Sequence, residues 1–271
     1  MDHHEKLAWS SQHLHALDLE IKDFIKRHPF TGRGEQEGNS RRFGILADDY
    51  PLLPPHWPLM VGDAIHNLRG ALDHMIWALS LRSKTPPSVD DSTKILFPIC
   101  TKEEWYIGKP KMPQGGARWK CARFIGDEAL AIVDGCQPYR GVYPVHEHPL
   151  AVIAAYSNHD KHRNLVASAA LAQPVQFTFK VTAHNRQGVI KPATITQTQQ
   201  WFYKDAKLAV VEFAEGTTCD PGEMEVRPVL EGTVAFGKEG PEPTFDVTAL
   251  EEISYNILRE IIVPLDAILC R

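Results

Sequence analysis

Between Val61 and Leu79 the apolar residues Val61, Ile65, Leu68, Leu72, Met75, Ile76 and Leu79 recur every three or four positions. That spacing lays one continuous apolar stripe along a helix of about five turns. The remaining faces of this helix carry neither Lys nor Glu. They present Asp63, His66, Asn67, Arg69, Asp73 and His74, with Gly70 in the middle. Such side chains are short, or bear fixed donors and acceptors, and suit a packed polar site better than open water.

The same pattern divides the rest of the chain. Residues 4–27 predict a helix with Leu7, Leu14, Leu17, Ile21, Phe24 and Ile25 inward, ended by His28-Pro29. Residues 31–42, TGRGEQEGNSRR, read as a loop, and Pro58 falls where a first-turn proline is tolerated. ILFPI (95–99) is a short apolar piece, and Thr101 with Glu104 has the form of a capping box opening a short helix at Trp105. Further helices are expected over 121–135 and 148–171. The texture then changes. Residues 175–183, 193–203, 208–215 and 224–237 alternate and are rich in Val, Thr and aromatics, which predicts an antiparallel meander with Pro228 splitting the last strand or placing it at an edge. A long apolar helix over 247–270 follows, kinked at Pro264.

The expected fold class is α+β: a helical bundle of four main helices with a small antiparallel β-meander inserted before the C-terminal helix. Residues 1–271 would form a single domain, with a helical core over 1–171, the sheet insertion over 175–237 and the last helix completing the bundle.

Composition narrows the partners. A net charge of -5 and a pI near 6.2 argue against a protein that coats nucleic acid, while leaving room for a local basic patch. The five cysteines are scattered and never form a CxxC pair, which points to reduced thiols in the cytoplasm and against a zinc ribbon. No apolar run reaches bilayer length, so no membrane partner is expected, and MDHHEKLAWSSQ lacks a signal-peptide layout. There is no P-loop, no dinucleotide-binding glycine motif and no GxSxG.

At 100° per residue, His66, Arg69 and Asp73 share one flank of the 61–79 helix, and Asp63, Asn67, Gly70 and His74 share the other. A carboxylate beside an imidazole fixes its tautomer, and an Arg adds a permanent charge. Gly70 leaves room for a close approach to the backbone. A second polar cluster, SNHDKHRN, spans 157–164. Asn158 and His162 would share a helix face there, and Lys161 would lie near the apolar stripe, where it needs a carboxylate such as Asp73 or Asp63. The two polar segments are expected to face one another and form one site, with Asn67, Asn158, Lys161 and His162 as binding residues. The competing account is structural, with buried packing hydrogen bonds on one helix and a solvated charge run on the other.

His146, His148, His159 and His162, with His66 or His74 and Asp63 or Asp73, offer a metal-binding alternative. The chain lacks HExxH and a well-placed Glu, so no metal and no cofactor is assigned. Lys109, Lys111, Arg118, Lys120 and Arg123, interleaved with Trp105, Tyr106 and Trp119, fit either a stacking and phosphate-contacting surface or an exposed loop.

Arg69-Gly-Ala-Leu-Asp-His74, an Arg and a His separated by four residues on a bundle helix, resembles the motif of the HEPN superfamily. Members are helical bundles and often metal-independent ribonucleases in which the Arg and His meet across a dimer interface. The resemblance implies an endoribonuclease of toxin or defence type, RNA as partner and a homodimer. Arg69 and His74 would be catalytic, supported by Asp73 and His66. Gly70 departs from the polar residue frequent after that Arg, and the sheet insertion is not part of a minimal HEPN bundle. IHNLRGALDH, the QPY turn at Gln137–Tyr139 and NHDKHR together also resemble a group of bacterial proteins. Three classes stay open from sequence: a ribonuclease, a metal-binding helical bundle, and a non-enzymatic binding or assembly protein.

Overall fold

The computed structural model describes residues 2–38, 41–84, 86–88, 91, 95–142, 144–160, 165–171, 178–183, 192–198, 201–213, 224–237 and 244–271. In chain order they form α1 (His3–Arg27), β1 (Gly32–Gln36), β2 (Arg42–Ala47), α2 (Trp57–Leu81), α3 (Glu103–Ile107), α4 (Ala117–Ala122), α5 (Asp127–Gly135) and α6 (Pro149–Asp160). Strands β3 (Val166–Leu171), β4 (Thr178–Ala183), β5 (Pro192–Gln197), β6 (Lys207–Phe213), β7 (Met224–Val229), β8 (Gly232–Gly237) and β9 (Phe245–Asp246) follow, then α7 (Val247–Ile257) and α8 (Val263–Leu269). The fold is thus mixed helix and strand with antiparallel sheets. The chain divides into two compact units. One holds Met1–Asp18, His56–Val166 and Phe236–Arg271, and the other Leu19–Pro55 and Ala167–Ala235.

In the first unit, α2 buries its whole predicted stripe from Val61 to Leu79, and Pro58 sits in its first turn as expected. α2 packs against α6 and α8, α6 against α7, and α5 against α8. Among the described residues no helix is long and apolar enough to cross a membrane.

Several helix boundaries differ from the sequence expectation. The helix expected over 121–135 is two, α4 and α5. Gly126, extended at φ -67° and ψ 162°, breaks the run and caps α5. The capping box of Thr101 and Glu104 does not form, because α3 starts at Glu103 and its cap is Lys102, with no side-chain cap bond. Of the helix expected over 148–171, α6 covers Pro149–Asp160, whereas Val166–Leu171 is strand β3, paired with β8. Pairing with a strand outweighs the helix propensity of its alanines. The C-terminal helix runs on without interruption from α7 to α8, through a π turn at Leu258–Ile262 in which the Val263 N–H reaches back five residues to the Leu258 carbonyl. A proline cannot donate to the residue four back and its ring pushes that carbonyl away, so a widened turn accommodates it.

In the second unit the sheet order is β1-β2-β6-β5, with Gly32 opposite Ala47, Phe43 opposite Val211 and Ile195 opposite Val211. β4 pairs with β7, Phe179 opposite Pro228. Of the expected meander, the successive strands β5 and β6 do pair antiparallel, and two readings are corrected. β4 skips to β7 rather than pairing with its successor, and the segment read as a loop at 31–42 supplies β1 and the start of β2. Its glycines explain the misreading. A Cβ on Gly34 would lie 2.7 Å from Val226 Cβ and 2.8 Å from the Val226 carbonyl oxygen, so the missing side chain is what lets β7 lie against β1. The Gly-containing links at 185–188 and 220–222, whose residues favour turns between the expected strands, lie outside the described residues. The core of this unit joins Phe30, Phe202 and Leu208, with Tyr50 stacked on Phe30 at 4.4 Å, and a second group around Phe43, Val211 and Phe213.

Gly34→Ala is therefore expected to destabilise by about 1–3 kcal/mol, the usual cost of overpacking where the obstacle is backbone. Urea denaturation of the wild type and the variant measures it.

Candidate functional site

A cavity of about 320 Å³ opens beside α2. His66, Arg69, Gly70 and Asp73 form its α2 wall, Ala154, Ser157 and Asn158 its α6 wall, and Leu96 and Ile99 complete it. The flank of His66, Arg69 and Asp73 predicted from helical spacing is thus brought together, and Asn158 joins it.

Arg69 and Asp73, one turn apart, form an ion pair at 2.9 Å with both side chains largely buried. Both also hold Phe97. Arg69 Nη2 donates to the Phe97 carbonyl at 2.8 Å, and the Phe97 N–H donates to Asp73 Oδ1 at 2.8 Å. The pair engages the 95–99 segment as a neighbouring strand would, satisfying backbone groups of an irregular stretch. Ile95, Phe97 and Pro98 are buried while Leu96 and Ile99 reach the cavity.

The same segment is gripped from its other side by Gln137, which is fully buried. Its Oε1 accepts the Cys100 N–H at 3.1 Å, and its Nε2 donates to the Pro98 and Val133 carbonyls, each at 2.9 Å. This gives a physical role to the first residue of the QPY turn.

Gly70 also has its reason. A Cβ there would meet Lys6 at 3.0 Å from Cδ and 3.1 Å from Cε and Nζ. What approaches the α2 backbone is therefore a lysine side chain from α1, which sets a second cation beside the turn that carries Arg69. Sequence reasoning missed Lys6 because nothing in helical spacing links it to α2.

The other expected site residues stand elsewhere. Asn67 Nδ2 donates back to the Asp63 carbonyl at 2.9 Å, closing on its own helix, and Asn67 does not line the cavity. His74 is half-buried and is not among the lining residues, so Arg69 and His74 do not share this cavity within one chain. Lys161 and His162 lie outside the described residues.

In the basic and aromatic stretch, Arg118 is committed to Asp134, with Nε to Oδ1 at 2.8 Å and Nη2 to Oδ2 at 3.0 Å. The buried Tyr106 donates its hydroxyl to the same carboxylate at 2.7 Å. Burial pushes the Asp134 carboxyl up, but the bonds from Arg118 and Tyr106 outweigh it and hold it below the usual range. Arg123 stacks over Trp119 at 4.9 Å. Burial raises the Cys136 thiol to about 12, so it is inert as a nucleophile at neutral pH.

The metal alternative built on His66, His74, His159, Asp63 and Asp73 finds no three-ligand group among the described residues. The group that does form is His3, His4 and Asp266.

The α6 wall depends on a titratable cap. His148 Nδ1 accepts the Leu150 N–H at 3.3 Å, which requires the neutral imidazole. Burial pulls the His148 pKa below its usual 6.5, against an opposing effect of Glu260. A depressed folded-state pKa gives a contribution that is complete above the unfolded value and is lost as pH falls through the folded one. Stability is therefore expected to decline from about pH 6.5 downward. His148→Asn, which retains a side-chain acceptor and does not titrate, should flatten this part of the profile in urea melts at pH 7.5 and 5.5.

No family model, no curated protein and no solved structure matches the chain.

Proposed function

We propose that the cavity beside α2 receives a phosphodiester of an RNA strand, and that the chain is a HEPN-like, metal-independent endoribonuclease acting as a homodimer. The observation that carries this reading is the common cavity wall of His66, Arg69 and Asp73, with Asn158 on the neighbouring wall. Arg69, held by Asp73 and the Phe97 carbonyl, is a pre-oriented cation. A charge already in place stabilises a developing phosphorane without reorganisation. His66, exposed on the same wall, takes the proton of a ribose 2'-hydroxyl. The 2'-oxygen attacks phosphorus, the bond to the 5'-oxygen breaks, and that oxygen is reprotonated. The products are a 2',3'-cyclic phosphate and a 5'-hydroxyl, and no metal enters the balance. Asp73 is a positioning residue, Asn158 a neutral donor to the phosphate, and Lys6 a second charge near it. His74, off this wall, serves the cavity of the second copy in the homodimer that the Arg-to-His motif implies.

One observation favours a second reading. Asp73 neutralises Arg69, and a cavity of about 320 Å³ falls in the range of small-ligand pockets. A non-enzymatic pocket for a small polar ligand would look the same.

The two are separated by incubating tag-free protein with end-labelled RNA in magnesium-free buffer. Cleavage leaving cyclic-phosphate ends, and none of a 2'-deoxy strand, is the expected result. Absence of RNA cleavage, or equal cleavage of the deoxy strand, would overturn the ribonuclease reading.

A further inference from the structure

Far from the cavity in sequence, the first turn of α1 meets α8. His3 Nε2 lies 3.2 Å from Asp266 Oδ1, and His4 Nε2 lies 3.3 Å from Asp266 Oδ2. All three ligand atoms fall within 4.8 Å of one another. His3 is buried, Asp266 is partly covered, and His4 is open to solvent. The two rings are neighbours at 4.1 Å between centroids. Two imidazoles on adjacent residues therefore turn the same nitrogen toward one carboxylate brought from 263 positions away.

We propose that His3, His4 and Asp266 form a zinc site. Zinc binds imidazole nitrogen and carboxylate oxygen at about 2.0–2.2 Å, so donors at neighbouring corners of a tetrahedron lie roughly 3.3–3.5 Å apart. His3 Nε2 lies near that edge length from Asp266 Oδ1, at 3.2 Å, and His4 Nε2 from the other oxygen, Oδ2, at 3.3 Å, so a small turn of the carboxylate presents one oxygen to both nitrogens. Two nitrogens and one oxygen suit zinc and disfavour magnesium, which prefers oxygen alone and an octahedron. Three protein ligands leave a fourth position for water or a further donor. Asp2 and Glu5 flank the histidines and add negative charge that favours a cation. Bound zinc would tie the start of α1 to α8. The competing account is that Asp266 merely accepts an N–H from each imidazole.

The test is a zinc titration of the metal-stripped, tag-free full chain by calorimetry at pH 7.5, with magnesium as control. The wild type is expected to bind one equivalent, with a Kd of micromolar or tighter. His4→Gln, changed at the exposed ligand so that folding is retained, and Asp266→Asn should each weaken binding at least about 10-fold. Zinc should raise the melting temperature of the wild type and not of the variants, because a ligand bound only by the folded state stabilises it. Zinc uptake that is absent in the wild type, or unchanged in folded variants, would overturn the site and leave a hydrogen-bonded cluster.

Discussion

Arg69→Ala is expected to lower RNA cleavage by about 100- to 1,000-fold, the usual loss when a fixed donor to a developing oxyanion is removed. The same change releases the Phe97 carbonyl and leaves Asp73 without its ion pair, so a stability loss of about 1–3 kcal/mol should accompany it. The two effects are separable. Assayed well below its melting temperature, a folded Arg69→Ala protein still lacks the charge, whereas a purely structural role predicts activity restored to the wild-type level. Arg69→Lys sharpens the distinction. It keeps a cation but loses the planar fork that reaches Asp73 and Phe97 together, and should recover only part of the rate.

Gln137→Leu should be the most destabilising polar substitution in the first unit. It leaves the Cys100 N–H and the Pro98 and Val133 carbonyls without the partner they now share in a fully buried position. Val133 also accepts the Cys136 thiol, so two buried groups are left unsatisfied at about 1–3 kcal/mol each, a total of about 2–6 kcal/mol. Chemical denaturation measures it. The change also frees the segment that carries Leu96 and Ile99, so RNA binding should weaken even where the protein remains folded.

What was legible in the sequence follows the range of the interactions involved. The α2 stripe and the grouping of His66, Arg69 and Asp73 depend on a period of 3.6 residues and emerge from spacing alone. Their common engagement of Phe97 depends on a contact 28 positions away, and Gln137 reaches 37 to 39 positions back. No local pattern encodes either, although an α2 face without Lys or Glu was the outward sign. β1 was hidden because glycine, poor in strands by propensity, is used at Gly34 for close packing under Val226. The helix expected to run to 171 failed for a related reason: an alanine-rich run reads as helix until a strand is available to pair with it. His3 and His4 stood side by side in the sequence, but nothing before Asp266 showed what they share.

The central claim, that the α2 cavity is where RNA is cleaved, is tested most directly by His66→Ala. His66 is exposed, so its removal should leave the fold intact. The measurement is the single-turnover rate on one RNA, wild type against variant, in magnesium-free buffer. A fall of about 100-fold or more with an unchanged melting temperature is predicted. Equal rates for the two proteins would contradict it.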